Sequence, residues 1–289
     1  MNNLEAILVN NIDVHVTNSC NLHCHGCNHL ANYGYGGSFK VKELVDWIEP
    51  WTDRLYFKRI SLLGGEPLLN PHLKDICIAY RNLFSPKDTK LRIITNGILI
   101  KKSLWLEELI QQYHVHVQVS LHVFTGKTKN QKLIKQVKEG LALLEKWAGN
   151  AVRPADTSWG PYAEAKEKLN FQVFYQGEGT NLKPFKHDNI MESKRHCTCP
   201  TLQLYKGHLY KCAPIAYISD VLEKLGRKDD PDWQPYLEYA PLTPDCTDAE
   251  LVDFMEKQQQ PEWTCKMCPP YSNVILSKER EIYHAAIAS

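Results

Sequence analysis

Three cysteines stand at C-x3-C-x2-C spacing in the stretch S-C-N-L-H-C-H-G-C-N-H, at Cys20, Cys24 and Cys27. Three thiolates on one short loop can hold three irons of a [4Fe-4S] cube and leave the fourth iron open to a small ligand. That makes a reactive centre rather than a staple. Zinc or scattered core thiols are the plainer readings, but structural zinc usually draws on two paired half-sites, and the first 190 residues hold only one other cysteine, Cys77. A second group sits in the last third, in H-C-T-C-P-T-L-Q-L-Y-K-G-H-L-Y-K-C and W-T-C-K-M-C-P-P.

The elements that must carry these residues can be read from periodicity. Ile12–Thr17 (I-D-V-H-V-T) alternates as a strand does and delivers the chain into the first cysteine loop. Val41–Ile48 has apolar residues at helical spacing, with Ser38 as candidate N-cap and Pro50 as stop. Further strands are predicted at 55–63, 91–95, 115–120 and 171–176. Helices are predicted at 71–83 and 103–112, and a third carries Leu133, Val137, Leu141 and Leu144 inward with Lys132, Lys135 and Lys138 as its solvated face. Residues 149–169 read as a long loop in which Trp159 and Tyr162 are candidates for substrate contact. No sixth strand is evident after Gln176. Leu202–Tyr205 and 208–211 alternate around Lys206-Gly207, which signals a hairpin.

Strand and helix alternate, and the chemically unusual residues fall at strand ends. The cysteine loop follows the first strand, Gly64-Gly65-Glu66-Pro67 the second, Thr95-Asn96-Gly97 the third and Ser120-Leu121-His122 the fourth. Parallel α/β barrels collect their active sites on that rim. Paired glycines let backbone approach a ligand closely, and Glu66 or nearby carbonyls can accept from an ammonium group. As a plain turn the same four residues need no ligand. Asn96 and Ser120 equally serve turn backbone, and a lone His122 is either an acid or base at the rim or simply hydrogen-bonded.

The 289 residues suffice for one large domain, or a large and a small one. With 43% hydrophobic and 23% charged residues the chain reads as an ordinary soluble protein. Lys plus Arg total 34 against 33 for Asp plus Glu. No overall field therefore recruits nucleic acid or an anionic membrane, and a specific nucleotide substrate stays open. The N-terminus lacks the features of a signal peptide and no apolar run approaches a membrane span, so a cytoplasmic location is expected. In a reducing compartment the ten cysteines are not expected to form disulfides, and the grouped ones are expected as metal or cluster ligands. Cys77 reads as core, and Cys246 as loop-borne without a role.

C-N-L-H-C-H-G-C resembles the cluster loop of the radical S-adenosylmethionine (radical SAM) superfamily, and Gly64-Gly65-Glu66-Pro67 resembles that family's G-G-E-P motif. One departure is Gly26, where the family usually has an aromatic residue. Stacking from that position is then expected of His25 or Tyr33. The resemblance implies an α/β fold, a partial (β/α)6 barrel running from about Ile12 to Gln176. Cys20, Cys24 and Cys27 would bind a [4Fe-4S] cluster whose open iron is chelated by SAM. Gly64, Gly65, Glu66 and Pro67 would line the methionyl amine. Ser120, and more weakly Asn96 and Gln172, would contact SAM, with Tyr175 a similar candidate.

The C-terminal cysteines resemble the auxiliary-cluster extension called SPASM, in its shorter twitch form. That implies a second [4Fe-4S] cluster on Cys197, Cys212, Cys265 and Cys268, with Cys199 as a substitute for Cys197. The expected division is 1–190 for the barrel and 191–289 for the auxiliary domain. The implied activity is reductive SAM cleavage to a 5′-deoxyadenosyl radical that abstracts hydrogen from a substrate, fed by a one-electron reductant such as flavodoxin or ferredoxin. About eleven residues precede the first strand, so no leader-peptide-binding domain is expected. A small polar metabolite, sugar or modified nucleoside is then the leading substrate class. Peptide maturation is the alternative, and a non-catalytic zinc-binding module is the rival of another class.

Overall fold

In a computed structural model of the chain, the described residues are 5–84, 88–122, 130–148, 152–154, 163–166, 170–197, 201–276 and 282–284. Its centre is strand β1 (Ile12–Thr17), buried along its whole length. Ile12, Val14 and Val16 project to one face, and Asp13, His15 and Thr17 to the other. Both faces are covered, as parallel sheets require. The remaining strands of this sheet are β2 (Arg59–Gly64), β3 (Lys90–Thr95), β4 (His116–Ser120), β5 (Val152–Pro154), β6 (Ala163–Lys166), β7 (Leu202–Tyr205) and β8 (His208–Tyr210). They lie in the order β8-β7-β1-β2-β3-β4-β6-β5. All neighbours are parallel except the antiparallel β7–β8 hairpin. This mainly parallel α/β sheet is consistent with an open barrel.

Helices between the strands cover the outer face. Helix α1 (Val41–Ile48) buries Leu44 and Ile48. Helix α2 (Leu73–Phe84) buries Leu73, Ile76, Cys77, Tyr80 and Phe84, an i, i+3, i+4, i+7 stripe. Helix α3 (Leu106–Gln111) buries Leu106, Leu109 and Ile110. Helix α4 (Gln131–Trp147) buries Leu133, Val137 and Leu144, while Lys132, Lys135 and Lys138 are exposed. Cys77 is fully buried, as expected of a core thiol.

Several expectations are corrected. The strand expected at 55–63 is two: Leu55–Phe57 pairs with Ile7–Val9, and only β2 enters the main sheet. Helix α1 is not capped by Ser38, whose hydroxyl bonds Thr17 Oγ1 at 2.9 Å, and instead the Glu43 carboxylate accepts from Lys40 N at 2.8 Å. The expected loop at 149–169 contains β5 and β6, which take the sheet positions beyond β4. The segment expected as the next barrel strand is displaced accordingly. Its Asn170–Gln172 portion pairs antiparallel with Val274–Leu276 in a separate ribbon, so Gln172 is not on a strand of the main sheet. The strand missing after Gln176 is supplied by the hairpin, because β7 adds in parallel to β1. Trp159, Tyr162 and Cys199 lie outside the described residues. Among the described residues no helix is long and apolar enough to cross a membrane.

Candidate functional site

The first cysteine loop leaves β1 at its C-terminal end and is bolted there by the turn after β2. Gly65 N donates to Thr17 O at 2.7 Å, and Glu66 N to Ser19 O at 2.8 Å. A Cβ on Gly65 would lie 2.1 Å from Ser19 O, and one on Gly64 2.2 Å from Thr17 O. The close approach that demands glycine is therefore to the cysteine loop's own backbone. Both glycines nevertheless border the cavity described below.

Glu66 is almost wholly buried and already engaged. Its carboxylate accepts from Leu68 N at 3.0 Å, Thr95 Oγ1 at 2.6 Å and Asn96 N at 2.7 Å. Burial pushes its pKa up to about 7 against the lowering effect of these donors. The carboxylate thus ties the turn after β2 to the turn after β3, leaving about one of its four acceptor positions open. Pro67 begins a 3₁₀ turn, Pro67–Leu69, for which Glu66 is the cap. Asn96 is similarly occupied: Nδ2 donates to Asn21 Oδ1 at 2.7 Å, and Oδ1 accepts from Ile98 N at 3.1 Å. It joins the β3 turn to the cysteine loop.

These ties enclose a cavity of about 270 Å³ bordered by Cys20, Cys24, Cys27, Gly64, Gly65, Asn96, Ser120 and His122. All three thiols of the loop face one space, and burial together with the Glu66 carboxylate pushes the Cys20 thiol upward in pKa. An apolar wall comes from Leu22, Leu63, Ile94 and Phe174. The donor set of three thiols beside an open, partly polar volume fits a cluster with one vacant vertex and an organic ligand upon it.

Gly26 has a specific reason to lack a side chain. Its φ is +68°, and a Cβ would meet Val173 Cγ2 at 3.1 Å. Tyr175 OH accepts from Gly26 N at 3.2 Å, and Tyr33 packs edge-on against Tyr175. Segment 173–175 therefore occupies the space beside the loop. His25 turns instead toward Glu178, with Nε2 3.0 Å from Oε1.

Sequence reading missed the cavity's floor. Asp13 borders the cavity and is raised in pKa by burial. Its Oδ1 accepts from Asn11 Nδ2 at 3.1 Å and its Oδ2 from Gln203 Nε2 at 3.2 Å. Arg92 reaches the same layer through Ser61 Oγ at 2.8 Å and Gln118 Oε1 at 2.6 Å. The signal was present in the alternation of β1, where every polar residue falls on the inward face. Phe174 borders both this cavity and the one below, which no local pattern announced.

The second cysteine group converges as well. Cys197, Cys212, Cys265 and Cys268 border one small space of about 40 Å³ together with Lys194, Lys211 and Glu262. Cys197 follows the helix Ile190–Arg195, Cys212 caps the helix Ala213–Lys224, and Cys265 lies in the 3₁₀ turn Trp263–Met267 that Cys268 ends. Four thiols bordering one small space fit either a fully ligated iron-sulfur cube or zinc by ligand type. Among the described residues no three His, Cys, Asp or Glu side chains are placed to hold a single metal ion. Cys246 stands apart, its sulfur accepting from Arg54 Nη1 at 3.4 Å.

The first cysteine loop falls in the part of the chain that is similar to known proteins. Residues 14–147 match the family model described as the radical SAM superfamily. The probable GTP 3′,8-cyclase of Methanocaldococcus jannaschii is 26% identical over 216 residues, covering 72% of this chain and 65% of that protein. Its counterpart in Archaeoglobus fulgidus is 29% identical over 140 residues, covering 46% of this chain and 45% of that protein. The chain thus spans less than two thirds of the length of these curated relatives. Among solved structures, Streptococcus suis SuiB bound to precursor peptide SuiA aligns with a TM-score of 0.38 at 22% identity, over 55% of this chain and 35% of that one. The cysteine loop lies within the matched stretch, and over residues 14–147 this chain is similar to the radical SAM superfamily.

Proposed function

We propose that this chain binds a [4Fe-4S] cluster through Cys20, Cys24 and Cys27, binds SAM beside it, and abstracts hydrogen from a small polar substrate such as a sugar, metabolite or modified nucleoside. Cluster and SAM together supply the chemistry: one-electron cleavage of the sulfonium to methionine and a 5′-deoxyadenosyl radical. The observation that carries the reading is that all three thiols border one cavity with Gly64, Gly65, Asn96 and Ser120. The chain's own groups position and exclude. The backbone bonds from Gly65 and Glu66 fix where the cysteine loop stands relative to β2. Leu22, Leu63, Ile94 and Phe174 keep water from the cavity's apolar side. Asp13 and Ser120 are polar members of the lining. The relatives named for a GTP 3′,8-cyclase keep a nucleotide substrate within the proposal.

A second cluster on Cys197, Cys212, Cys265 and Cys268 belongs to the same reading, carried by the convergence of these four thiols. Residues 191–289 are then the auxiliary region, although its hairpin is built into the barrel's sheet. Fully ligated by cysteine, that group would relay an electron or tune its surroundings rather than bind substrate.

Anaerobic reconstitution tests the proposal. The protein should be brown, carry about eight irons and form 5′-deoxyadenosine when reduced with SAM. A colourless protein that binds zinc and has no affinity for SAM would replace this reading with that of a non-catalytic zinc module.

A further inference from the structure

The four C-terminal cysteines arrive on three segments, and each segment is tied to another by a polar contact. Ser193 Oγ donates to Cys268 O at 3.1 Å, and His187 Nε2 lies 2.7 Å from the same oxygen. Lys211, next to Cys212, places Nζ 3.0 Å from Glu262 Oε2. Glu262 in turn begins the turn that bears Cys265. Its backbone oxygen accepts from Cys265 N at 2.9 Å and its Oε1 from Thr264 Oγ1 at 2.9 Å.

The Lys211–Glu262 pair is one of two well-withdrawn ion pairs among the described residues. Lys211 is 14% and Glu262 20% exposed, comparable only to Arg227–Asp230, and of these two pairs it alone borders the cysteine cavity. A pair withdrawn from water loses much of its hydration, and its mutual attraction does not make it a good staple compared with apolar packing. Both members border the cysteine cavity. Lys211 also extends over the ring of Phe254, 5.6 Å from its centroid, which fixes its stem. Lys194 is the other cation bordering that cavity among the described residues.

We propose that Lys211 is a fixed counter-charge of the four-cysteine site, aimed and partly offset by Glu262, which together set how readily that site accepts an electron. The inference rests on the second cluster proposed above. One added electron makes a group held by four thiolates more negative by one charge, so a nearby ammonium favours the reduced form and a nearby carboxylate the oxidised form. Lys211 and Glu262 are positioning residues here, since neither is a ligand.

The test uses the full-length chain with Cys20→Ala, Cys24→Ala and Cys27→Ala, so that only the second site is loaded with ferrous iron and sulfide. The reduction midpoint is then followed by electron paramagnetic resonance during titration with dithionite. Lys211→Gln should lower the equilibrium constant for reduction by about tenfold, about 59 mV for one electron, at unchanged iron content, and Lys211→Arg should restore it. Glu262→Gln should shift the midpoint upward. Both single substitutions break the same ion pair, so a merely structural role moves the two midpoints in one direction, and that result overturns the proposal. Should Lys211→Gln fail to load, Glu262→Gln decides alone, an unchanged or lowered midpoint overturning it. Absence of iron from the parent triple variant would instead remove the second cluster itself, and this inference with it.

Discussion

The two cysteine sites solve opposite problems with the same side chain. The first presents three thiols from one eight-residue loop to a cavity of about 270 Å³, and the second gathers four thiols from three distant segments around about 40 Å³. The first loop is short in sequence, so its thiols are neighbours whatever the rest of the chain does. What the fold adds is room beside them, framed by the turns after β2, β3 and β4. The second site has no local loop to rely on and needs ties between segments, such as the bond from Ser193 Oγ to Cys268 O. The two spaces differ in size, and under the proposed function the larger would take a reacting ligand while the smaller would exchange charge.

Reciprocal deletion should give the largest effects. Replacing Cys20, Cys24 and Cys27 by alanine is expected to abolish 5′-deoxyadenosine formation while leaving about four irons per chain. Replacing Cys265 and Cys268 should remove about four irons and leave SAM cleavage in place. Iron analysis and chromatography of the nucleoside check both, and loss of cleavage in a folded Cys265→Ala variant would erase the division of labour.

Gly65→Ala comes next. A Cβ 2.1 Å from Ser19 O cannot be accommodated without moving the cysteine loop. A loss of about 4 kcal/mol or more is expected in urea unfolding, with weakened SAM affinity in whatever folds. The second site should still load, because it does not share this contact.

Glu66 makes the first site sensitive to pH. Its folded pKa of about 7 stands above the ordinary 4.5, so the folded state holds the proton more tightly than the unfolded chain. Its contribution is full below about pH 4.5 and is lost as pH rises through 7, on the order of 3 kcal/mol for this buried group. The apoprotein's melting temperature should show a downward component over that interval that Glu66→Gln lacks. Equal slopes in the two proteins would refute the assignment.

The smallest effect is expected from Tyr175→Phe, which removes the hydroxyl that accepts from Gly26 N. About 1 kcal/mol of stability should go, with a modest fall in SAM affinity measured by titration calorimetry.

Legibility differed between the two sites for a physical reason. Strand β1, helices α2 and α4 and the cysteine loop declare themselves through short-range periodicity and spacing. The strands within 149–169 did not, because β5 and β6 are only three and four residues long, one carrying Pro154 and the other alternating with nothing larger than alanine as its apolar residue. Gln172 went astray with them: its segment is apolar enough for a strand, but the neighbouring sheet position was already filled by β6. Glu66 illustrates the other failure. Its residue type fits a contact to an ammonium group, yet Thr95 and Asn96, about thirty positions away, take up most of its acceptor capacity.

By itself the sequence determined the three-thiol loop, the strand that feeds it and the composition of a parallel α/β protein, since these depend on residues within a few positions of one another. Tertiary structure alone decided that Gly64 and Gly65 serve the loop's backbone, that Asp13 forms a floor, that β7 pairs with β1, and that four scattered thiols enclose one space. Those outcomes follow from which distant segments compete for the same sheet edge, hydrogen-bond acceptor or packing volume, and that competition is settled only when the chain has closed upon itself.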